Sequence, residues 1–204
     1  MNFNDYVSDR DRWITADREI GSKLYVSRKF PEHDSVNPFL HDMIVDNAKR
    51  RMVTLAYQTD YQLIDQNRDL EEIDSLFTWI ENIIPECVAD LAENCGSLFN
   101  GGVPEESKVF KIAEYWGMYY PERSGTIKHN HFPYPICFAY YVNVPKGSSP
   151  FTLDGEDIPV ESGDIIFFRG DQYHEVKKCL VGERTMISGN ICYDAKLNQL
   201  PVWT

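Results

Sequence analysis

The stretch Thr126-Ile127-Lys128-His129-Asn130-His131, the turn Phe132-Pro133-Tyr134-Pro135 and the run Ile136-Cys137-Phe138-Ala139-Tyr140-Tyr141-Val142-Asn143-Val144 decide the fold. Their β-branched and aromatic residues fall into two short runs divided by prolines, which reads as strand, turn and strand. Similar runs recur near 108–120, 150–153, 164–168, 174–177 and 184–193, between turn clusters such as Pro121-Glu122-Arg123-Ser124-Gly125 and Asp154-Gly155-Glu156-Asp157. About seven short strands at such close spacing predict a β-barrel or sandwich.

The first half reads differently. Lys23 to Val26 and Met52 to Tyr57 look like short strands, and Asn37-Pro38 reads as the cap of a helix running to about Arg51. From Leu70 to Asn94, the residues Leu70, Ile73, Phe77, Ile80 and Ile84 recur at intervals of three and four, one face of a helix. Pro85 is expected to kink or divide it, because proline removes a helical hydrogen bond and crowds the preceding turn. The expected organisation is mainly β, one domain over residues 1–204, with a mixed helical support (1–100) beside a β-core (101–204). The apolar face around Ile73 to Ile84 also offers a surface for a homodimer.

With 43% apolar and 25% charged residues, neither disorder nor a fibrous repeat is indicated. No apolar run approaches the roughly 20 residues of a membrane span, and Met1 to Arg12 is too polar for a signal peptide, so a cytoplasmic protein without a membrane partner is expected. A net charge of −12 opposes binding to phosphate backbones and argues against nucleic acid. The five cysteines, Cys87, Cys95, Cys137, Cys179 and Cys192, form no C-x-x-C pair and read as reduced thiols.

Three of the five histidines, His129, His131 and His174, lie in the strand-rich half. Two apart on a strand, His129 and His131 share a face, and a rolled sheet can return His174 to them. Three imidazoles suit iron, zinc, copper or nickel, so the residues alone do not name the metal. Ten positions after His174 comes Arg184, heading a strand whose alternation points Arg184, Met186, Ser188 and Asn190 to one face. A guanidinium aimed into an apolar barrel needs an anion, and its planar fork matches a carboxylate; an internal Asp or Glu would serve as well as a dicarboxylate ligand.

His129-Asn130-His131-Phe132-Pro133, Cys137 to Val142, Gly163-Asp164, His174 and Arg184 together resemble the Fe(II)- and 2-oxoglutarate-dependent oxygenases, in particular their compact bacterial and phage-type branch. The resemblance implies a double-stranded β-helix, or jelly-roll, barrel. It also implies Fe(II) held by His129 and His174, 2-oxoglutarate held by Arg184, dioxygen (O2) as oxidant, and hydroxylation of a small-molecule or peptidyl substrate. Most members carry Asp or Glu where His131 stands. Three readings follow: His131 is the third ligand, which the geometry favours; or the position is left open, as in halogenating members; or Asp171 or Glu175 completes the site. Members also use strand tyrosines to bind the cosubstrate, which nominates Tyr141 and Tyr119, while Ser188 and Asn190 share the face of Arg184 and qualify as further partners.

Two other readings fit the same residues. Gly125 before His-x-His and the Gly163-Asp164 turn also occur in three-histidine cupin dioxygenases, which need no 2-oxoglutarate; Arg184 has no obvious task there. A metal- or ligand-binding barrel without turnover is the other.

Overall fold

The computed structural model describes residues 24–50, 55–95, 110–178 and 180–193. Its elements are β1 (Val26–Lys29), α1 (His33–Asn47), β2 (Lys49–Arg50), β3 (Tyr57–Gln58), α2 (Gln62–Asp65), α3 (Glu71–Cys95) and β4 (Phe110–Tyr120), followed by β5 (Thr126–His129), β6 (Ile136–Asn143), β7 (Phe151–Leu153), β8 (Glu156–Ile158), β9 (Asp164–Arg169), β10 (His174–Val176) and β11 (Arg184–Tyr193). Two antiparallel sheets result, one ordered β1-β9-β6-β11-β4-β3-β2 and the other β5-β10-β7-β8. Strands β4 to β11 pass between the two sheets in the order of a jelly roll, and the protein is mainly β.

Alternation along the strands builds two cores. In β6, Ile136, Phe138, Tyr140 and Val142 pack with α1 and α3, while Cys137, Ala139 and Tyr141 point between the sheets. Strand β9 divides the same way, Ile165 and Phe167 toward the helices, Ile166 and Phe168 into the barrel. Because both faces are covered, β6 is buried almost throughout and reads as a continuous apolar run. A β-bulge shifts the β4/β11 register: Asn190 pairs with Glu114, but Ile191 pairs with Ile112. The extra residue, Ala113, moves the even-numbered positions of β4 from the helical side (Phe110, Ile112) to the barrel side (Trp116, Met118, Tyr120).

The helices lie against the large sheet. From α3, Ile73, Leu76, Phe77, Ile80, Ile84, Cys87, Val88 and Leu91 are buried in this packing. The face expected to serve a homodimer is thus covered by the chain's own sheet and is not a free surface. α3 runs through Pro85 as one continuous helix, so of the two outcomes expected there, a kink or a division, the division does not occur. The buried residues on both sides of the proline, Ile84, Cys87 and Val88, hold the two turns against the sheet and outweigh the lost hydrogen bond. α1 starts at His33, so that Pro38 lies inside it rather than at its start. Its buried residues Val36, Asn37, Leu40 and Ile44 set its position, and Asn37 donates to the Val142 carbonyl at 2.7 Å and accepts from the Tyr140 hydroxyl at 2.5 Å.

The first strand is shifted from the expected 23–26 to Val26–Lys29, where it pairs with β9. Residues 1–23 and Met52 to Thr54 lie outside the described residues, as do Cys179 and the side chain of Cys95. Cys87, Cys137 and Cys192 are free thiols. Gly163, at φ +90°, makes the turn into β9; a Cβ there would meet the His33 ring at 2.5 Å. Among the described residues no helix is long and apolar enough to cross a membrane.

Candidate active site

At the mouth of the barrel, the ligand atoms of His129, His131 and His174 all lie within 4.8 Å of one another. β5 and β10 are paired strands with His129 opposite His174 in register, so the ladder sets that pair. His131 follows β5, anchored by its backbone N–H donating to the Gly170 carbonyl at 2.8 Å. Its ring stacks on Trp116, centroids 5.7 Å apart and planes at 9°.

The tautomers follow from the backbone around the rings. Nδ1 of His129 lies 2.8 Å from the Ile127 carbonyl, and Nδ1 of His174 lies 3.3 Å from the Gln172 carbonyl. A carbonyl only accepts, so both Nδ1 atoms carry the proton and both Nε2 lone pairs are left for a ligand. His131 Nε2 is 3.2 Å from His129 Nε2, so the two converge on one point. Burial first, then the neighbouring imidazoles, lowers His174 to about 3; burial and His129 lower His131 to about 4. Both are therefore neutral at physiological pH, the form in which imidazole binds a metal.

Neither carboxylate considered for the third position joins this group. Asp171 is held by Arg169 at 3.0 Å, and Glu175, although on the cavity wall, is not among the three converging residues.

The histidines open onto a cavity of about 460 Å³ between the sheets, walled by Trp116, Met118, Tyr120, Phe168 and Met186. Ser188 and Asn190 face it, and Asn190 is 1% exposed. Arg184, which does not line the cavity, is fully buried. One Nη donates to the Ser149 carbonyl, while Nε and the other Nη have no partner. The guanidinium lies over the rings of Tyr141 and Tyr120, 5.2 Å and 5.7 Å from their centroids, and the Tyr141 hydroxyl is also buried without a partner.

No family model and no curated protein matches the sequence. Solved structures do match its fold. The viral collagen prolyl hydroxylase of Paramecium bursaria Chlorella virus-1, solved with 2-oxoglutarate, is 12% identical with a TM-score of 0.56, over 83% of this chain and 96% of that one. The Trichoplax adhaerens prolyl hydroxylase, solved with a peptide fragment of hypoxia inducible factor, is 10% identical with a TM-score of 0.55, covering 99% and 98%. A non-haem α-ketoglutarate-dependent epimerase of nogalamycin biosynthesis is 14% identical with a TM-score of 0.59, covering 92% and 89%. This chain has the 2-oxoglutarate oxygenase fold.

Within that oxygenase fold the sequence-nominated residues divide. His129, His131, His174, Ser188 and Asn190 face the cavity, whereas Arg184 and Tyr141 pack against each other without lining it. Tyr119 does not reach it. Its ring packs on the helical side of the sheet, edge-on to Tyr57 at 5.9 Å. Tyr120 takes the barrel position, directly opposite Arg184 in the β4/β11 ladder. Sequence reasoning passed over Tyr120, Trp116 and Glu114; the parity of Tyr120 relative to Arg184 would have found it once the register was known. The N-terminal histidines serve packing: His33 meets the Phe30 carbonyl and His41 the Thr185 hydroxyl, each at 2.9 Å.

Proposed function

We propose that this protein is a non-haem Fe(II) dioxygenase that couples oxidative decarboxylation of 2-oxoglutarate to oxidation, most simply hydroxylation, of a second substrate. The observation that carries the reading is Arg184, fully buried with Nε and one Nη unpartnered beside the unpartnered hydroxyl of Tyr141. Leaving such donors unmet costs about 1–3 kcal/mol each, and a single carboxylate answers all three.

His129, His131 and His174 would hold the metal through Nε2, and Arg184 with Tyr141 the far carboxylate of 2-oxoglutarate. When bound, the metal supplies the site at which O2 is consumed: 2-oxoglutarate becomes succinate and CO2, and the second oxygen atom goes to the substrate. The protein's part is orientation. Nδ1–H donation to the Ile127 and Gln172 carbonyls keeps two imidazoles aimed at one point. Phe151 and Phe168 flank His174 at centroid distances of 5.5 Å and 5.0 Å and exclude water from its far side. Met186, unbranched and two residues from Arg184 on the same strand face, re-packs at low cost to admit the cosubstrate chain. Three neutral ligands leave the site one positive charge higher than a set containing a carboxylate, which tunes the metal toward a higher potential.

The substrate is a peptidyl or small polar molecule entering beside Tyr61 and Trp116, whose rings meet edge-on at 5.2 Å on the cavity wall. Two of the compared structures are prolyl hydroxylases, one with a peptide bound, and this supports a peptidyl substrate. A three-histidine dioxygenase without cosubstrate shares the metal ligands but leaves Arg184 without a task. The test is succinate release with O2 uptake by the purified protein supplied with Fe(II) and 2-oxoglutarate. Slow substrate-independent turnover, lost in His174→Ala, is expected; none under any condition contradicts the reading.

A further inference from the structure

The cavity wall carries a carboxylate to which the proposed chemistry gives no task. Glu114 lies on β4 just after the bulge at Ala113, and that bulge turns it from the helical side into the barrel. Its Oε1 accepts a hydrogen bond from Asn190 Nδ2 at 2.7 Å, and Asn190 is 1% exposed. A carboxylate only accepts, so it fixes which end of the Asn190 amide faces it. The amide oxygen is thereby turned the other way, where Cys137 donates its S–H at 3.1 Å. His131 and Asn190 face the same cavity, and interaction with the Asn190 side chain raises the His131 pKa against the burial that lowers it. With His131 Nε2 directed at His129, Nδ1 is the nitrogen left to turn its N–H toward the Asn190 oxygen. The Nε2 lone pair then points to the convergence of the three imidazoles.

We propose that Glu114 is a positioning residue of the metal centre: through Asn190 it fixes His131 as a ligand and places near the site the negative charge that three imidazoles lack. The inference rests on reading the three histidines as metal ligands, and it extends the site to a residue that neither touches the metal nor resembles a ligand motif. His131, unlike His129 and His174, has no backbone carbonyl to orient its ring among the described contacts. The Glu114–Asn190 pair takes that role. Changes to such outer partners typically weaken metal binding about 10- to 100-fold.

The experiment is a titration of the metal-free protein with Co(II), whose d–d absorption reports ligand number and geometry without O2 or 2-oxoglutarate. Glu114→Gln preserves an accepting oxygen and loses only the charge; a Co(II) affinity about tenfold weaker is expected, with the thermal midpoint of the metal-free protein unmoved. Glu114→Asp should recover most of the loss. In a His131→Asp background, where the ligand itself carries the charge, Glu114→Gln should cost little or nothing, a coupling that a merely structural role would not produce. Parent-like Co(II) affinity in Glu114→Gln, or an equal loss in both backgrounds, overturns the inference while leaving the three-histidine site intact. Absence of Co(II) binding by the parent overturns the site and the inference together.

Discussion

The guanidinium of Arg184 lies 5.2 Å above the ring of Tyr141, and the two side chains between them bury three polar atoms without partners. Buried polar groups are almost always hydrogen-bonded, so three orphans in one place mark where a ligand completes the structure. Burial also pushes the Tyr141 phenol well above its usual range, so it stands as a protonated donor. A carboxylate between them meets donors on both sides.

Tyr141→Phe should therefore behave unlike an ordinary core hydroxyl deletion. The free protein should keep its thermal midpoint or gain slightly, because the hydroxyl removed is unsatisfied, whereas 2-oxoglutarate affinity should fall about tenfold, equivalent to roughly 1.4 kcal/mol. Thermal denaturation with and without 2-oxoglutarate reads both. Tyr119→Phe serves as the contrast and should bind like the parent, since its ring lies on the helical face. A destabilised free Tyr141→Phe protein would mean that the hydroxyl is already paired.

Metal removal isolates the three histidines. His129→Ala or His174→Ala should lose Fe(II) binding by more than the roughly 10- to 100-fold typical of an outer partner. His129→Ala should leave the fold intact, while His174→Ala should also cost some stability, because the ring is buried between Phe151 and Phe168. His131→Asp should retain the metal. Calorimetric titration with Fe(II) under argon distinguishes them, and full occupancy in either alanine variant would remove that residue from the ligand set.

Acid should destabilise the metal-free protein before its carboxylates alone would. His131 and His174 are lowered to about 4 and about 3 from an ordinary 6.5, chiefly by burial. Between pH 6.5 and 4 the unfolded chain therefore binds protons that the folded chain refuses. Stability must then rise with pH across that window and fall as the pH drops through it, by at most about 1.4 kcal/mol per unit for each group. Thermal midpoints at pH 7, 6, 5 and 4 should fall more steeply in the parent than in a His131→Gln/His174→Gln variant. Equal slopes would show that these imidazoles are not held neutral.

The barrel half was legible because short β-branched and aromatic runs between turn clusters are a strong local signal. Cys137 to Val142 and Ile165 to Phe168 are such continuous apolar runs, and β11 keeps Arg184, Met186, Ser188 and Asn190 in phase. What local pattern could not supply was phase between strands. Tyr119 and Tyr120 are adjacent in sequence, and only the ladder that sets Tyr120 opposite Arg184 separates them. Glu114 was invisible for a related reason, since a one-residue bulge reversed the face of its strand. The helical half was harder: α1 starts at His33 with no side-chain cap, which leaves only Asp34 in its first turn as a weak start signal, and Val36, Leu40 and Ile44 are its buried apolar residues. At Pro85 the helix continues undivided, because burial on both sides of the proline outweighs the lost hydrogen bond.

The central claim is that Arg184 holds a carboxylate of 2-oxoglutarate beside a metal bound by three histidines, and the most direct measurement is an anaerobic titration of the Fe(II) protein with 2-oxoglutarate. The metal-to-ligand absorption band is followed in the parent, Arg184→Lys and Arg184→Ala. A two-pronged, charge-assisted hydrogen bond in a desolvated barrel contributes on the order of 2–4 kcal/mol, so alanine should weaken 2-oxoglutarate by roughly 30- to 1000-fold with Fe(II) affinity unchanged. Lysine should recover only part of this, because an ammonium supplies charge without the planar fork. A parent that shows no band, or three coincident titrations, would contradict the account and leave a three-histidine dioxygenase without 2-oxoglutarate as the better description.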